Sequence, residues 1–128
     1  MTTKITLGIK ISVFVYYQSE YSNPEREHFM FSYKVRIENL SDQPVQLLER
    51  HWDIFDSIGE TTTVDGAGVV GEQPLLNPGD IHEYVSGCNL KSDLGYMQGY
   101  YKMQRTLDNS QFNVIIPRFN LISTYKLN

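Results

Sequence analysis

The sequence predicts an all-β fold, an antiparallel sandwich or barrel of about seven to eight short strands. Three observations carry this expectation. Apolar residues recur at every second position in several runs, turn-forming clusters separate those runs, and no window keeps a helical stripe. Without intervening helices a parallel βαβ sheet is excluded.

The first run places Ile5, Leu7, Ile9, Ile11, Val13, Val15 and Tyr17 at odd positions with Thr6, Lys10 and Ser12 between them, the period of a half-buried strand. A polar segment, 19–26, contains Ser22-Asn23-Pro24 and precedes a second alternation of Phe29, Phe31, Tyr33, Val35 and Ile37. Val13, Val15, Phe31, Val35 and Ile37 are therefore candidates for the core. After the turn cluster Ser41-Asp42-Gln43-Pro44 comes a third run, 45–55, whose alternation breaks at Leu47-Leu48, where a bulge or a change of face is expected. Ile58-Gly59 reads as a turn before Thr61-Thr62-Thr63-Val64, and Asn77-Pro78-Gly79-Asp80 as a turn before the run 81–85. Two further runs, 95–104 and 111–116, flank Leu107-Asp108-Asn109-Ser110.

The 128 residues, 41% hydrophobic and 20% charged, suit one globular domain over 1–128. At this size about two-thirds of the unfolded surface can be hidden, so neither a disulfide framework nor a structural metal is required. The single cysteine, Cys88, has no partner for an internal bridge. The N-terminal residues run straight into alternation without a long apolar block, so neither a signal peptide nor a membrane span is expected, and the cytoplasm is the default compartment. Eleven Lys and Arg are scattered singly, which offers no basic cluster to nucleic acid. Between His51 and Leu90 there is no Lys or Arg, while Asp53, Asp56, Glu60, Asp65, Glu72, Asp80 and Glu83 give that stretch a formal charge of −7.

Gly66-Ala67-Gly68-Val69-Val70-Gly71 satisfies the Gly-x-Gly-x-x-Gly pattern, in which glycines let a backbone approach a pyrophosphate at a helix N-terminus. Here no helix follows and Gln73-Pro74 comes at once, so the bland alternative is a tight glycine-rich connection. Gly66, Gly68 and Gly71 stand as the candidate phosphate-binding loop, acting as an anion nest with help from Arg or Lys of another strand. His51 and Asp53, two apart, share one strand face. With Asp56, Glu60, Asp65 and Glu72 they are candidates for a loose cation site, suited to Mg2+ or another hard cation held through water, or for a face that meets a basic partner; the alternative is a solvated surface. Nucleophile elbow and paired-carboxylate signatures are missing, and Cys88 has no basic neighbour in sequence to lower its pKa, so an enzyme is not expected.

The run from Gly66 to Pro74, with Leu76, Pro78-Gly79, Tyr84, Ser86-Gly87 and Gly95-Tyr96-Met97-Gln98-Gly99-Tyr100-Tyr101-Lys102-Met103, closely resembles the ApaG family. The ending Ile116-Pro117-Arg118-Phe119-Asn120-Leu121 fits it too, as do Phe29 to Asn39, Val45-Gln46-Leu47-Leu48, Arg50 and Trp52. Asp53 and Asp93 depart from the usual pattern and add negative charge. The resemblance implies an immunoglobulin-like or fibronectin type III-like β-sandwich. It brings no catalytic residues, and the family's attachment to F-box proteins and to a polymerase-delta-interacting protein in eukaryotes implies protein binding. It also implies an indirect role in cobalt and magnesium homeostasis, and a proposed affinity for nucleotides or pyrophosphate through the glycine motif. The leading expectation is thus a non-catalytic module, monomeric or homodimeric and without a resident cofactor, that binds a protein partner with a basic surface through a sheet face, a sheet edge or the glycine loop. The alternative is a sensor of a small phosphate ligand at Gly66 to Gly71, with or without a divalent cation.

Overall fold

A computed structural model describes residues 1–123. Among these residues nine strands form: β1 (Thr2–Thr6), β2 (Ile9–Tyr17), β3 (Phe29–Asn39), β4 (Val45–Asp56), β5 (Glu60–Ala67), β6 (Leu75–Leu76), β7 (Ile81–Leu90), β8 (Leu94–Arg105) and β9 (Gln111–Ile122). Two short 3-10 turns, Ser19–Tyr21 and Pro24–Arg26, lie in the polar segment between β2 and β3.

The count exceeds seven to eight partly because the first alternating run is not one strand. Leu7 and Gly8 take positive φ, 47° and 84°, and turn the chain between β1 and β2, so that Thr6 pairs with Ile9. Across this two-residue turn odd positions of β1 pair with even positions of β2, as Ile5 does with Lys10, so the odd apolar residues change face although the sequence alternation runs on. Its consequence is visible in burial: Ile9, Ile11 and Val13 are buried whereas Ile5 and Leu7 are exposed.

The strands pair antiparallel in two sheets, ordered β1-β2-β3-β7 and β5-β4-β8-β9, with β6 added to β4. Their inner faces make one core. From the first sheet come Ile9, Ile11, Val13 and the odd residues of β3 from Phe29 to Ile37; from the second come Val45, Leu47, Trp52, Met97, Tyr101, Met103, Val114, Ile116, Phe119 and Leu121. Val15 packs against this core while partly exposed. Tyr33 reaches across to Trp52 and Phe119, with ring centroids 5.4 and 5.7 Å away, in the tilted contacts that aromatic quadrupoles favour.

The break at Leu47-Leu48 is a β-bulge: the register of β4 against β8 shifts between Leu47 and Glu49. The extra residue changes the parity of the strand. Before it the odd residues Val45 and Leu47 face inward; after it the even residues Arg50, Trp52, Ile54 and Asp56 do. A second shift lies at Met97/Gly99, opposite Pro117 and Arg118 of β9; proline, which lacks an N–H, is accommodated at such irregularities.

The two sides of the sandwich differ. On one, β1 and β2 run against β9, and the Ile115 amide donates to Thr6 Oγ1 at 3.2 Å. On the other, β5 and β7 are the outer strands of their sheets, and a cleft lies between them.

Candidate functional site

The cleft between β5 and β7 has a volume of about 590 Å³. Tyr33, Trp52, Ile54, Val64 and Met97 form an apolar and aromatic floor, and the edges of β5 and β7 form its rims. Such a combination of an apolar base and a few polar groups is typical of ligand sites. Tyr84 of β7 enters from one rim and shares a short hydroxyl–hydroxyl hydrogen bond with the buried Tyr101. Burial raises the pKa of Tyr33, Tyr84 and Tyr101, so all three remain neutral phenols at ordinary pH. Burial likewise pushes the Cys88 thiol up to about 11, with Asp56 adding to the effect. Cys88 therefore carries a thiol, not a nucleophilic thiolate.

Arg50 is brought into this cleft by the bulge that turns the even residues of β4 inward. Its guanidinium lies over Gly66, where a Cβ would meet it at 2.7 Å. Nη1 donates to the carbonyl oxygens of Ala67 and Gly68 at 3.0 and 2.9 Å. No carboxylate pairs with Arg50 among the described residues.

The glycine-rich segment is a tight turn docked on the bulge. The Gly68 amide donates to Leu48 O at 2.8 Å, and Gln73 Nε2 reaches the same carbonyl at 2.9 Å. Val69 and Glu72 exchange backbone hydrogen bonds around Val70 and Gly71, whose φ values of 47° and 77° are those of a type I′ turn. Gly68, at φ 62°, has no room for a side chain because Glu72 O occupies that space. The motif glycines thus serve their own chain's close approaches, and the amides of Gly68, Val69 and Glu72 are already bonded to backbone carbonyls. Val70 is the odd member. A β-branched residue in the left-handed region is strained, yet this one is exposed and sits at the cleft. Glu72 lies 3.9 Å from His82 of β7, so the segment reaches from the end of β5 toward the start of β7, and its Val69 and Val70 line the cleft beside Arg50.

The acidic residues of the middle stretch are dispersed over the fold. His51 and Asp53 share the outer face of β4, as their spacing requires, and Asp65 stands opposite His51 on β5. Asp65 Oδ1 is 2.6 Å from His51 Nδ1 and Asp53 Oδ1 is 3.1 Å from Nε2, while the ring stacks on Tyr100 at 4.8 Å. The hydrogen bond to Asp65, ahead of the nearby charge of Asp53, raises the His51 pKa. Asp56, of the opposite parity, turns inward and is buried, accepting from Lys91 N at 2.7 Å and Ser92 Oγ at 2.5 Å. Glu60 sits at the mouth with Lys91 Nζ at 3.4 Å, and Glu72 with His82. Glu83 is matched by Lys34 at 2.9 Å and Arg36 at 3.7 Å from β3. The six candidates of the cation or basic-partner face are therefore not one cluster, and among the described residues no group of three His, Cys, Asp or Glu is placed to hold a metal ion. Nor is any described helix long and apolar enough to cross a membrane. Among the Arg and Lys residues of neighbouring strands, Arg50 reaches the glycine loop, whereas Lys102 pairs with Glu49 and Arg105 stacks on Phe112.

Two features of this region escape a reading of isolated motifs. One is the inward aim of Arg50, for which the signal is parity: counted from Trp52, Arg50, Ile54 and Asp56 share its face once the bulge is placed. The other is the Tyr84–Tyr101 hydroxyl pair, for which the sequence carries no local signal.

Two packed antiparallel sheets with a cleft along one open side define a β-sandwich domain of the fibronectin type III-like kind. The ApaG domain profile matches residues 19–105. Protein ApaG of Paramagnetospirillum magneticum is 44% identical over 126 residues, 98% of this chain and 96% of that protein, and Protein ApaG of Agrobacterium fabrum is 46% identical over 123 residues, 96% and 94%. Among solved structures, a Bordetella pertussis chain assigned as an ApaA protein superposes with a TM-score of 0.88 at 39% identity, covering 91% of this chain and 94% of that one. An X-ray structure of a structural-genomics target gives 0.85 at 37% identity, covering 94% and 90%. The chain belongs to the ApaG family.

Proposed function

We propose that this chain is a non-catalytic cytoplasmic binding module whose open mouth, between the edges of β5 and β7, receives an extended segment of a partner protein. The observation that carries this reading is the pairing of two strand edges, unpartnered among the described residues, with an aromatic-floored cleft between them. Free strand edges offer backbone donors and acceptors to an added chain, and alternate side chains of that chain can then enter pockets. The outer His51, Asp53 and Asp65 cluster is mutually hydrogen-bonded, and Glu60 and Glu83 are locally paired, so the acidity of the middle stretch does not gather into one surface for a basic partner. On this reading any part in cobalt and magnesium homeostasis is exercised through the protein captured, as a binding module requires no metal of its own.

The test is selection of short peptides from a displayed library, followed by mapping of their footprint by amide chemical-shift perturbation. Shifts concentrated on residues 60–67 and 81–90, with binding lost in a Thr62→Trp variant that keeps its melting temperature, are the expected result. Thr62 is exposed at the rim, so a tryptophan there obstructs the cleft without entering the core. Footprints confined to the His51 face, or no selectable peptide, would remove the reading.

A further inference from the structure

The mouth has a blind end and an open end, and its charges are arranged differently at the two. Arg50 and Asp56 both face inward from β4, six residues apart, or about 20 Å along an extended strand. At the far end every charge is matched: Asp56 caps the Lys91 amide and the Ser92 hydroxyl, and Glu60 pairs with Lys91 Nζ at 3.4 Å. At the near end Arg50 has no carboxylate partner among the described residues, and its described hydrogen bonds use Nη1 alone. A guanidinium has five N–H groups in a planar fork suited to a carboxylate. The turn at residues 69–72, whose Val69 and Val70 line the cleft, and the Glu72–His82 approach lie across that end.

We infer that the mouth recognises the free C-terminus of its partner: the terminal carboxylate sits on the Arg50 guanidinium at the blind end, and the last apolar side chains lie on Trp52, Ile54, Val64 and Met97. A chain that places a carboxylate on Arg50 cannot continue past the turn, which selects a terminus over an internal Asp or Glu. The remaining length of the cleft accommodates about six extended residues, which leave past Glu60 and Lys91. This rests on the peptide-binding reading above, and specifies the chemistry of its ligand.

The experiment is calorimetry on peptides selected from a library displayed with free C-termini, each synthesised as the acid and as the C-terminal amide. The acid is expected to bind at least tenfold more tightly than the amide, and Arg50→Gln, which keeps a donor for the Ala67 and Gly68 carbonyls, is expected to abolish that ratio. The acid–amide comparison needs no variant, so it stands even where Arg50→Gln lowers stability. Equal binding of acid and amide with a footprint in the mouth would overturn the C-terminal reading and leave the peptide module intact. An acid preference that survives in a folded Arg50→Gln protein would overturn the assignment to Arg50. N-acetyl-leucine binding as tightly as the full peptide would make the ligand a small acid and overturn both readings, as would peptides whose footprint lies elsewhere.

Discussion

Val70 is held at φ 47°, a conformation that crowds a β-branched side chain against its own backbone, and it is exposed, so packing does not explain why it is there. Asn-Gly is the pair that a type I′ turn favours, and the following residue is already Gly71. Val70→Asn is therefore expected to stabilise the fold by about 1 kcal/mol, read as a higher urea midpoint with an unchanged slope. A lower midpoint would show that Val70 makes a contact worth more than its strain. The same residue lines the cleft, so a stabilised variant that binds selected peptides less well would tie the strain to function. His51 supplies a pH dependence. Its folded pKa is raised, first by the hydrogen bond to Asp65, above an unfolded value near 6.5. The stabilisation is thus fully present below about pH 6.5 and disappears as pH rises through the folded value. Asp65 is largely exposed, so the effect belongs in the range of screened pairs, no more than about 1 kcal/mol. Chemical denaturation should find wild type more stable than Asp65→Asn by a larger margin at pH 5.5 than at pH 8.5; equal margins would refute the assignment.

At the level of elements, the bulge in β4 does two things that can be separated. It sets the inward parity of Arg50 through Asp56, and it frees the Leu48 carbonyl to hold Gly68 N and Gln73 Nε2. Deleting Leu48 removes the extra residue while leaving Val45, Leu47, Arg50 and Trp52 on alternate positions of one face, because a bulge is a one-residue insertion. The sandwich should persist with a loss of about 2 kcal/mol, the worth of two hydrogen bonds, and the Gly68 amide should lose its protection from exchange. A deletion that unfolds the chain, or leaves Gly68 protected, would contradict this division of labour. The doubled leucine made the bulge legible in the sequence, and Asn77-Pro78-Gly79-Asp80 made the entry to β7 legible. The hairpin at Leu7-Gly8 was not, because Ile5 and Leu7, though exposed, continue the odd-position apolar pattern of the buried face of β2. The site was legible only where residues share a strand, as His51 and Asp53 do. Asp65 joins them through cross-strand register, and Glu83 meets Lys34 and Arg36 by pairing of β7 with β3, relations that a local reading of charge does not contain.

For the whole molecule the decisive asymmetry is between the closed side, where β1 and β2 run against β9, and the open side, where β5 and β7 face the cleft. A strand is held by its ladder and by the apolar surface it buries, and local opening is cheapest where both are least. Strand β3 has partners on both edges and alternate residues buried along its full length, from Phe29 to Asn39. Among the described residues strand β5 has one partner, β4, and none of its eight residues is fully buried; Val64 alone packs against the core. Native-state hydrogen exchange should therefore rank the amides of β3, with those of β4 that bond to β8, among the slowest, exchanging only through global unfolding. The amides of β5 should exchange through a local opening with little dependence on denaturant. A peptide seated in the mouth adds a partner to this side and should slow β5 selectively, leaving β3 at its global rate. Should β5 exchange as slowly as β3 in the free protein, the open side would be as rigid as the closed one, and the mouth would have to bind its partner as a preformed slot instead of ordering its own rim around the incoming chain.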